Sequence, residues 1–333
     1  MGGKALKIAH TERCSNEKYL KLCKELVTIM FSDFTNLRVV KNYKNKESHG
    51  DIDIICAVPD TNFNVDEYIK RIFKPGEIFH NGNCHSFDYD STQIDLITCK
   101  EEDFESYCHY YDYGFGNYFG KIAQSIGFKY GMEGLWINHI YDSNNKFKIM
   151  VSKDFRKIFE FLGYDYDRFT KGFQNIEDIY DYVMTSKYYT PWIFQIENLT
   201  KVNRGRDVRR QSYMDFLTYV SGVPHEDYDK SHVSDLKSNN ISVIKDKFPE
   251  CDIDLHISEI NYKMAKKRFV STKFNGKMII KKFGISGKLL GECIKRFKEH
   301  IEFLGYEYDE YILSKPRRLL FKTFELLNEE SLK

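Results

Sequence analysis

The run Gly50-Asp51-Ile52-Asp53-Ile54-Ile55-Cys56 constrains this chain more than any other. Side chains on a strand alternate faces, so Asp51 and Asp53 point one way while Ile52 and Ile54 point into a core. Gly50 ahead of them permits close backbone approach. Further on, Gln93-Ile94-Asp95-Leu96-Ile97 sets one carboxylate in a second apolar strand, where burial is costly without a metal or hydrogen-bond partner. Oxygen ligands of this kind suit a hard cation, and Mg²⁺ is commonly held by one or two carboxylates plus substrate phosphates. Three carboxylates on neighbouring strands can bridge two such ions. A second Asp-x-Asp, Asp252-Ile253-Asp254, lacks the glycine and the downstream partner strand, so it is expected at the surface or in a cap.

The surrounding pattern is that of an α+β domain. After Ser15 as N-cap, residues 16–33 place Leu20, Cys23, Leu26, Val27 and Met30 at helical spacing. Extended segments are expected at 37–40 and 52–58, then a helix at 65–73 closed by Pro75-Gly76. Three strands follow at 77–80, 84–89 and 92–99, with Asp90-Ser91 as the turn between the last two. A helix from Gly116 runs towards Gly127, and beyond residue 148 helical patterns dominate. The polar stretch Asp142-Ser143-Asn144-Asn145 marks the expected boundary between a catalytic domain, 1–147, and a helical, basic domain, 148–333. Two similar phrases, 160–167 and 302–309, each read as a helix stopped by glycine.

A chain of 333 residues has material for two cores, and its 42% hydrophobic and 30% charged composition is that of a globular protein. The eight cysteines show no CxxC pair and no zinc-finger spacing, so a reducing, cytoplasmic setting without disulfides is expected. No apolar run has transmembrane length, and no membrane partner is expected. The opening Met1-Gly2-Gly3 lacks the Ser/Thr that myristoylation needs, since Leu6 stands there.

The run from Tyr43 to Ile55, with Lys44, Lys46, Glu47, Ser48 and His49 ahead of Gly50-Asp51-Ile52-Asp53, resembles the catalytic segment of the DNA polymerase beta-like nucleotidyltransferase superfamily. Its wording is most similar to family X DNA polymerases. Thr92 to Phe104 resembles the strand that carries that family's third aspartate and its acidic continuation. The run His109 to Asn117 is similar to the aromatic, glycine-containing turn beneath the incoming nucleotide. The resemblance implies catalytic, metal-binding Asp51, Asp53 and Asp95 with two Mg²⁺ (or Mn²⁺) ions and an NTP or dNTP substrate. It also implies nucleotide contacts from Lys41, Lys44, Ser48, His49, Gly50, Tyr110, Asn117 and Lys121. Two departures stand out. Val40-Lys41 occupies the place of the family's Gly-Ser pair, and no lyase-type domain is expected ahead of the catalytic segment.

Between Asn261 and His300 there are twelve Lys/Arg and two Glu, a basic block in a chain of net charge +1. It includes Lys266, Lys267, Arg268, Lys281, Lys282 and Lys288, with Phe269, Phe274 and Phe283 interleaved. Arg204, Arg206, Arg209 and Arg210 form a second cluster. Such patches attract a polyphosphate backbone. The run 274–292, with Gly284, Gly287 and Gly291, resembles the tail of CCA-adding tRNA nucleotidyltransferases. The expectation is an α+β catalytic domain, with a mixed sheet and flanking helices, then a mainly helical domain. Its partner would be a nucleic-acid 3′ end, whether RNA, tRNA or DNA. Transfer to a small molecule or protein, and non-catalytic nucleic-acid binding, are the alternatives.

Overall fold

The computed structural model describes residues 3–59, 63–223 and 238–332. A two-residue strand β1 (Cys14–Ser15) leads into α1 (Asn16–Met30), where the Ser15 hydroxyl accepts the Lys18 N–H as a cap. This helix buries Tyr19, Leu22, Leu26 and Met30, whereas Leu20 is 59% exposed. The buried stripe thus sits one position from the aliphatic pattern at its first two places. Tyr19 accounts for the shift, stacking on His49 with ring centroids 3.6 Å apart.

Five strands build the main sheet: β2 (Asn36–Val39), β4 (Asp51–Ala57), β5 (Ile78–Asn81), β6 (Cys84–Tyr89) and β7 (Thr92–Cys99). Between β2 and β4, β3 (Ser48–His49) pairs with β1, and α2 (Val65–Phe73) crosses over from β4 towards β5. The order is β2-β4-β7-β6-β5, with β4 and β7 parallel and the other neighbours antiparallel. The sheet is therefore mixed, with helices flanking it. Asp90 and Ser91 both have positive φ (45° and 55°), the backbone a tight two-residue hairpin turn requires.

Alternation gives the central strands two buried faces. Ile52, Ile54, Ile94 and Leu96 pack with Leu22, Leu26, Tyr68 and Ile69 of α1 and α2. On the other face Ile55, Ala57, Ile97 and Cys99 meet Phe104 and Cys108 of α3 (Phe104–Tyr111). Asp51, Asp53 and Asp95 share this second face but lie nearer the beginnings of the strands.

Next come α4 (Gly116–Ser125) and a three-stranded sheet of β8 (Lys129–Gly131), β9 (Gly134–Ile140) and β10 (Lys146–Ser152). The expected linker at 142–145 is the turn from β9 to β10. Asp142 Oδ1 accepts the N–H groups of Asn144 and Asn145 at 2.9 Å each. The rest is helical: α5 (Phe155–Leu162), α6 (Tyr166–Lys171), α7 (Ile176–Met184), α8 (Lys201–Asp207), α9 (Gln211–Ser221) and α10 (Asn240–Lys247). Then follow α11 (Ile253–Lys273), α12 (Gly276–Phe283), α13 (Gly287–Phe303), α14 (Tyr308–Ser314) and α15 (Arg317–Leu327). Gly163 (φ 84°) and Gly305 (φ 78°) stop α5 and α13 in the two repeated phrases.

Two compact units result, one of residues up to His139 with Lys148–Ile253, the other of Ile140–Phe147 with Asp254–Lys333. The second unit thus takes residues 140–147 together with everything beyond 253, whereas 148–253 belong with the first. The cause is an aromatic core in the first unit, where Phe115 and Phe119 of the α4 region pack on Phe159, Tyr164, Phe169 and Tyr182. The second unit has its own core of Phe274, Phe297, Ile301, Ile312 and Phe324.

Candidate functional site

Strand register brings the carboxylates together. Asp53 of β4 lies beside Asp95 of β7, Asp51 lies beside Gln93, and Ser86 of β6 faces Asp95 from the other side. One ligand oxygen from each of Asp51, Asp53 and Asp95 falls within 4.8 Å of the others. Like charges this close oppose ionisation. Burial, then Asp51 and Asp95, holds the Asp53 carboxyl well above its ordinary range. Burial lifts Asp95 to about 6, and Asp51 adds to the rise, against hydrogen bonds from Ser86 and Gln93. An all-oxygen donor set with surplus negative charge fits hard divalent cations such as Mg²⁺.

The raised carboxyls make a stability prediction with a definite sign. A carboxyl whose folded pKa is raised favours the fold while protonated, and that contribution is lost as pH rises through the folded value, about 6 for Asp95. The metal-free protein is expected to lose thermal stability between about pH 4 and pH 7, and added Mg²⁺ to raise Tm more at the upper end. A Mg²⁺ effect on Tm that is equal or larger at the acid end counts against a metal held by this trio.

A cleft of about 760 Å³ opens at Asp53, lined by Lys41, Lys46, Tyr43 and Tyr111 among others. Lys46 is half-buried and donates to Asn42 Oδ1 at 2.8 Å. Burial lowers its amine although Asp51 and Asp53 favour the charged form. Asp112, 2% exposed, fixes the Lys41 segment by accepting the Lys41 N–H at 2.9 Å and the Arg38 guanidinium at 3.0 and 3.1 Å. The same cleft is also lined by Glu177, Tyr180, Asp215 and Tyr219.

No family model matches the chain, and no curated protein matches it. Among solved structures it is similar to Leishmania infantum polymerase beta in a ternary P/T complex, at 12% identity and a TM-score of 0.33. That match covers 40% of this chain and 61% of the polymerase chain, so it spans less than two thirds of that protein.

The structure distributes the other expected contacts unevenly. Lys41 lines the cleft, while Lys44 is exposed and its N–H donates to the Phe173 carbonyl. Ser48 accepts from Arg13 at 3.0 Å. His49 is buried under Tyr19, and burial, then Lys46, lowers its pKa to about 4, so it packs as a neutral ring. Gly50 is buried. Tyr110, Asn117 and Lys121 line a different cavity of about 400 Å³, which does not include the carboxylates. There the Lys121 amine is spent on Asp207 Oδ2 at 2.6 Å and Asn117 Oδ1 at 2.9 Å.

Of the arginine cluster, Arg204 donates to the carbonyls of Ile196, Glu197 and Leu199, and Arg206 pairs with Asp207 at 2.9 Å. Arg209 and Arg210 are exposed. In the second unit Lys267, Arg268, Lys281, Lys282 and Lys288 are exposed, and Lys266 is half-buried 3.7 Å from Glu310. The interleaved aromatics divide: Phe274 is core, Phe283 packs on Phe321 and Phe324, and Phe269 is 67% exposed. All eight cysteines are free thiols, Asp252 and Asp254 are exposed, and no helix among the described residues is long and apolar enough to cross a membrane.

Sequence reasoning passed over Lys46 as a site residue, and Asp112 and Gln93 with it. Lys46 was signalled by its place just ahead of Gly50. Asp112 and Gln93 had no signal of their own, because their roles depend on hydrogen bonds across the fold. A further cluster, Asp66, His80 and His85, joins α2 to the β5–β6 hairpin, with His85 Nδ1 2.7 Å from Asp66 Oδ1. That short bond accounts for the cluster as a tether.

Proposed function

We propose that this protein is a metal-dependent nucleotidyltransferase that adds nucleotides from an NTP or dNTP to a polynucleotide 3′ end. The reading is carried by one observation, three carboxylates with oxygens within 4.8 Å of one another, one of which, Asp53, lines a lysine-bearing cleft. Asp51, Asp53 and Asp95 would hold the divalent ions, two in number, which when bound supply charge neutralisation for the triphosphate and a more acidic attacking hydroxyl. Lys41 and Lys46 would draw the phosphates into the cleft as point charges. The attacking oxygen forms a bond to the α-phosphorus as the bond to pyrophosphate breaks. The hydroxyl proton would pass to Asp95. The exposed lysines and Arg268 of the second unit suit a polyanionic acceptor, bound less tightly as salt rises.

A second reading has an observation of its own. Glu177 and Asp215, which also line the cleft, repel phosphates and suit a cationic small-molecule acceptor. The deciding experiment supplies Mg²⁺ and each NTP or dNTP in turn with labelled single-stranded RNA, tRNA lacking its 3′ end, or primed DNA. An Asp51→Ala/Asp53→Ala double variant runs beside it. Extension lost in the variant supports the first reading. Triphosphate consumption without extension, stimulated by polyamine or aminoglycoside acceptors, moves the assignment to the second. No carboxylate-dependent consumption with any acceptor sinks both.

A further inference from the structure

The segment from Gly3 to Ala9 does not trail away from the fold. Its backbone N–H groups are taken up one after another along the carboxylate side of the sheet. Gly3 N–H donates to Asp51 Oδ2 at 2.9 Å, and Ala5 N–H donates to Gln93 Oε1 at 2.9 Å. The Gln93 amide nitrogen in turn donates to Asp95 Oδ1 at 2.8 Å. At the far end Glu77 Oε2 accepts from Lys7, Ile8 and Ala9 at 2.9, 2.7 and 2.9 Å. Gln93 is 2% exposed, and both ends of its amide are committed, so one orientation is fixed. Only glycine fits at the head of the segment. Gly3 has φ +80°, and a Cβ there would lie 2.0 Å from the Gly50 carbonyl oxygen.

We propose that the Gly3–Ala9 segment is a built part of the metal centre, with Gly3 and Gln93 as positioning residues that hold Asp51 and Asp95 in their metal-binding orientations. The inference rests on the metal-dependent reading of the carboxylate trio. Repulsion among three carboxylates favours rotating them apart. One N–H on one oxygen of Asp51, and one amide on one oxygen of Asp95, oppose that rotation. Each bond leaves the carboxylate's other oxygen outside it. Groups that orient metal ligands in this way typically contribute about 10–100-fold to metal affinity or activity. Glu77 anchors the segment, so the two bonds at the trio do not depend on a loose tail.

The test measures Mn²⁺ affinity of the full-length chain without nucleotide, by electron paramagnetic resonance of free Mn²⁺. Wild type, Gly3→Ala and Gln93→Leu are compared, with Asp51→Ala as the reference for a lost ligand. Both positioning variants are expected to bind Mn²⁺ about 10–100-fold more weakly than wild type. The Mg²⁺ concentration for half-maximal turnover should rise in parallel, with kcat partly recovered at high Mg²⁺. A purely structural role would lower Tm without moving the metal dependence. If Gly3→Ala does not fold, Gln93→Leu still decides, because it cuts the link to Asp95 and, although Ala5 loses its acceptor, changes no residue of the segment and leaves its Glu77 anchor in place. Unchanged Mn²⁺ affinity in the folded variants overturns the proposal, as does tighter binding, which would make the segment a block. Absence of Mn²⁺ binding by the wild type overturns it too. Weakened Mn²⁺ binding in a protein that transfers no nucleotide would sink the proposed reaction and leave the positioning role standing.

Discussion

Asp53→Asn is expected to abolish the proposed nucleotidyl transfer and at the same time to raise the thermal stability of the metal-free protein. The two effects have one origin. Asp53 sits between Asp51 on its own strand and Asp95 on the next, and its carboxyl is held high by burial and by both neighbours. An amide of the same shape removes a group whose ionisation burial and both neighbours oppose, so the metal-free fold at neutral pH should gain stability. The surplus charge is also what a divalent cation requires, and without it turnover should fall by about three orders of magnitude or more. Thermal unfolding in EDTA and in Mg²⁺, with turnover on the preferred acceptor, checks both halves. In EDTA the variant should melt above the wild type, and Mg²⁺ should reverse the order. Retained transfer, or a variant less stable than the wild type in EDTA, would show that the trio is not a strained cation site.

What the sequence made legible was whatever depends on short-range pattern. The helix at Val65–Phe73 and the strands at Cys84–Tyr89 and Thr92–Cys99 coincide with their expected positions, because period and turn residues agree there. The carboxylate trio was legible in part for a related reason. Asp51 and Asp53 share a face by strand period alone, whereas Asp95 joins them through the register that sets it beside Asp53. The division of the chain was not legible, since the aromatic packing of Phe115 and Phe119 on Phe159, Phe169 and Tyr182 joins segments on both sides of the polar stretch at 142–145. The hydrogen bonds from Gly3 and Ala5 to Asp51 and Gln93 were equally hidden, because they pair residues 48 and 88 positions apart through backbone groups that every residue carries. Resemblance likewise sorted the basic residues by type, whereas their partners decide what they can bind.

Lys121 is the clearest instance, and its substitution separates the two accounts. As a phosphate contact, Lys121→Met would raise the KM for nucleotide and leave Tm alone. In the structure its side chain is 4% exposed and its amine lies 2.6 Å from Asp207, which has no exposed side-chain surface. The two partners shift in senses that identify the keystone. Asp207 is lowered despite its burial because Arg206 and Lys121 both bond to it. The Lys121 amine falls to about 8 because burial outweighs its one carboxylate. Asp207→Ala therefore strips two cations of their partner and is expected to cost about 3–5 kcal/mol. Lys121→Met should cost less, since Arg206 still covers Asp207 at 2.9 Å. Both variants should bring a lower Tm with the nucleotide KM unchanged, the opposite pairing from that of a phosphate contact. If Lys121→Met proves the more damaging, the lysine, and not Asp207, anchors α4 to α8. A raised KM at constant Tm would return Lys121 to the nucleotide and require the 400 Å³ cavity it lines to be part of the substrate path.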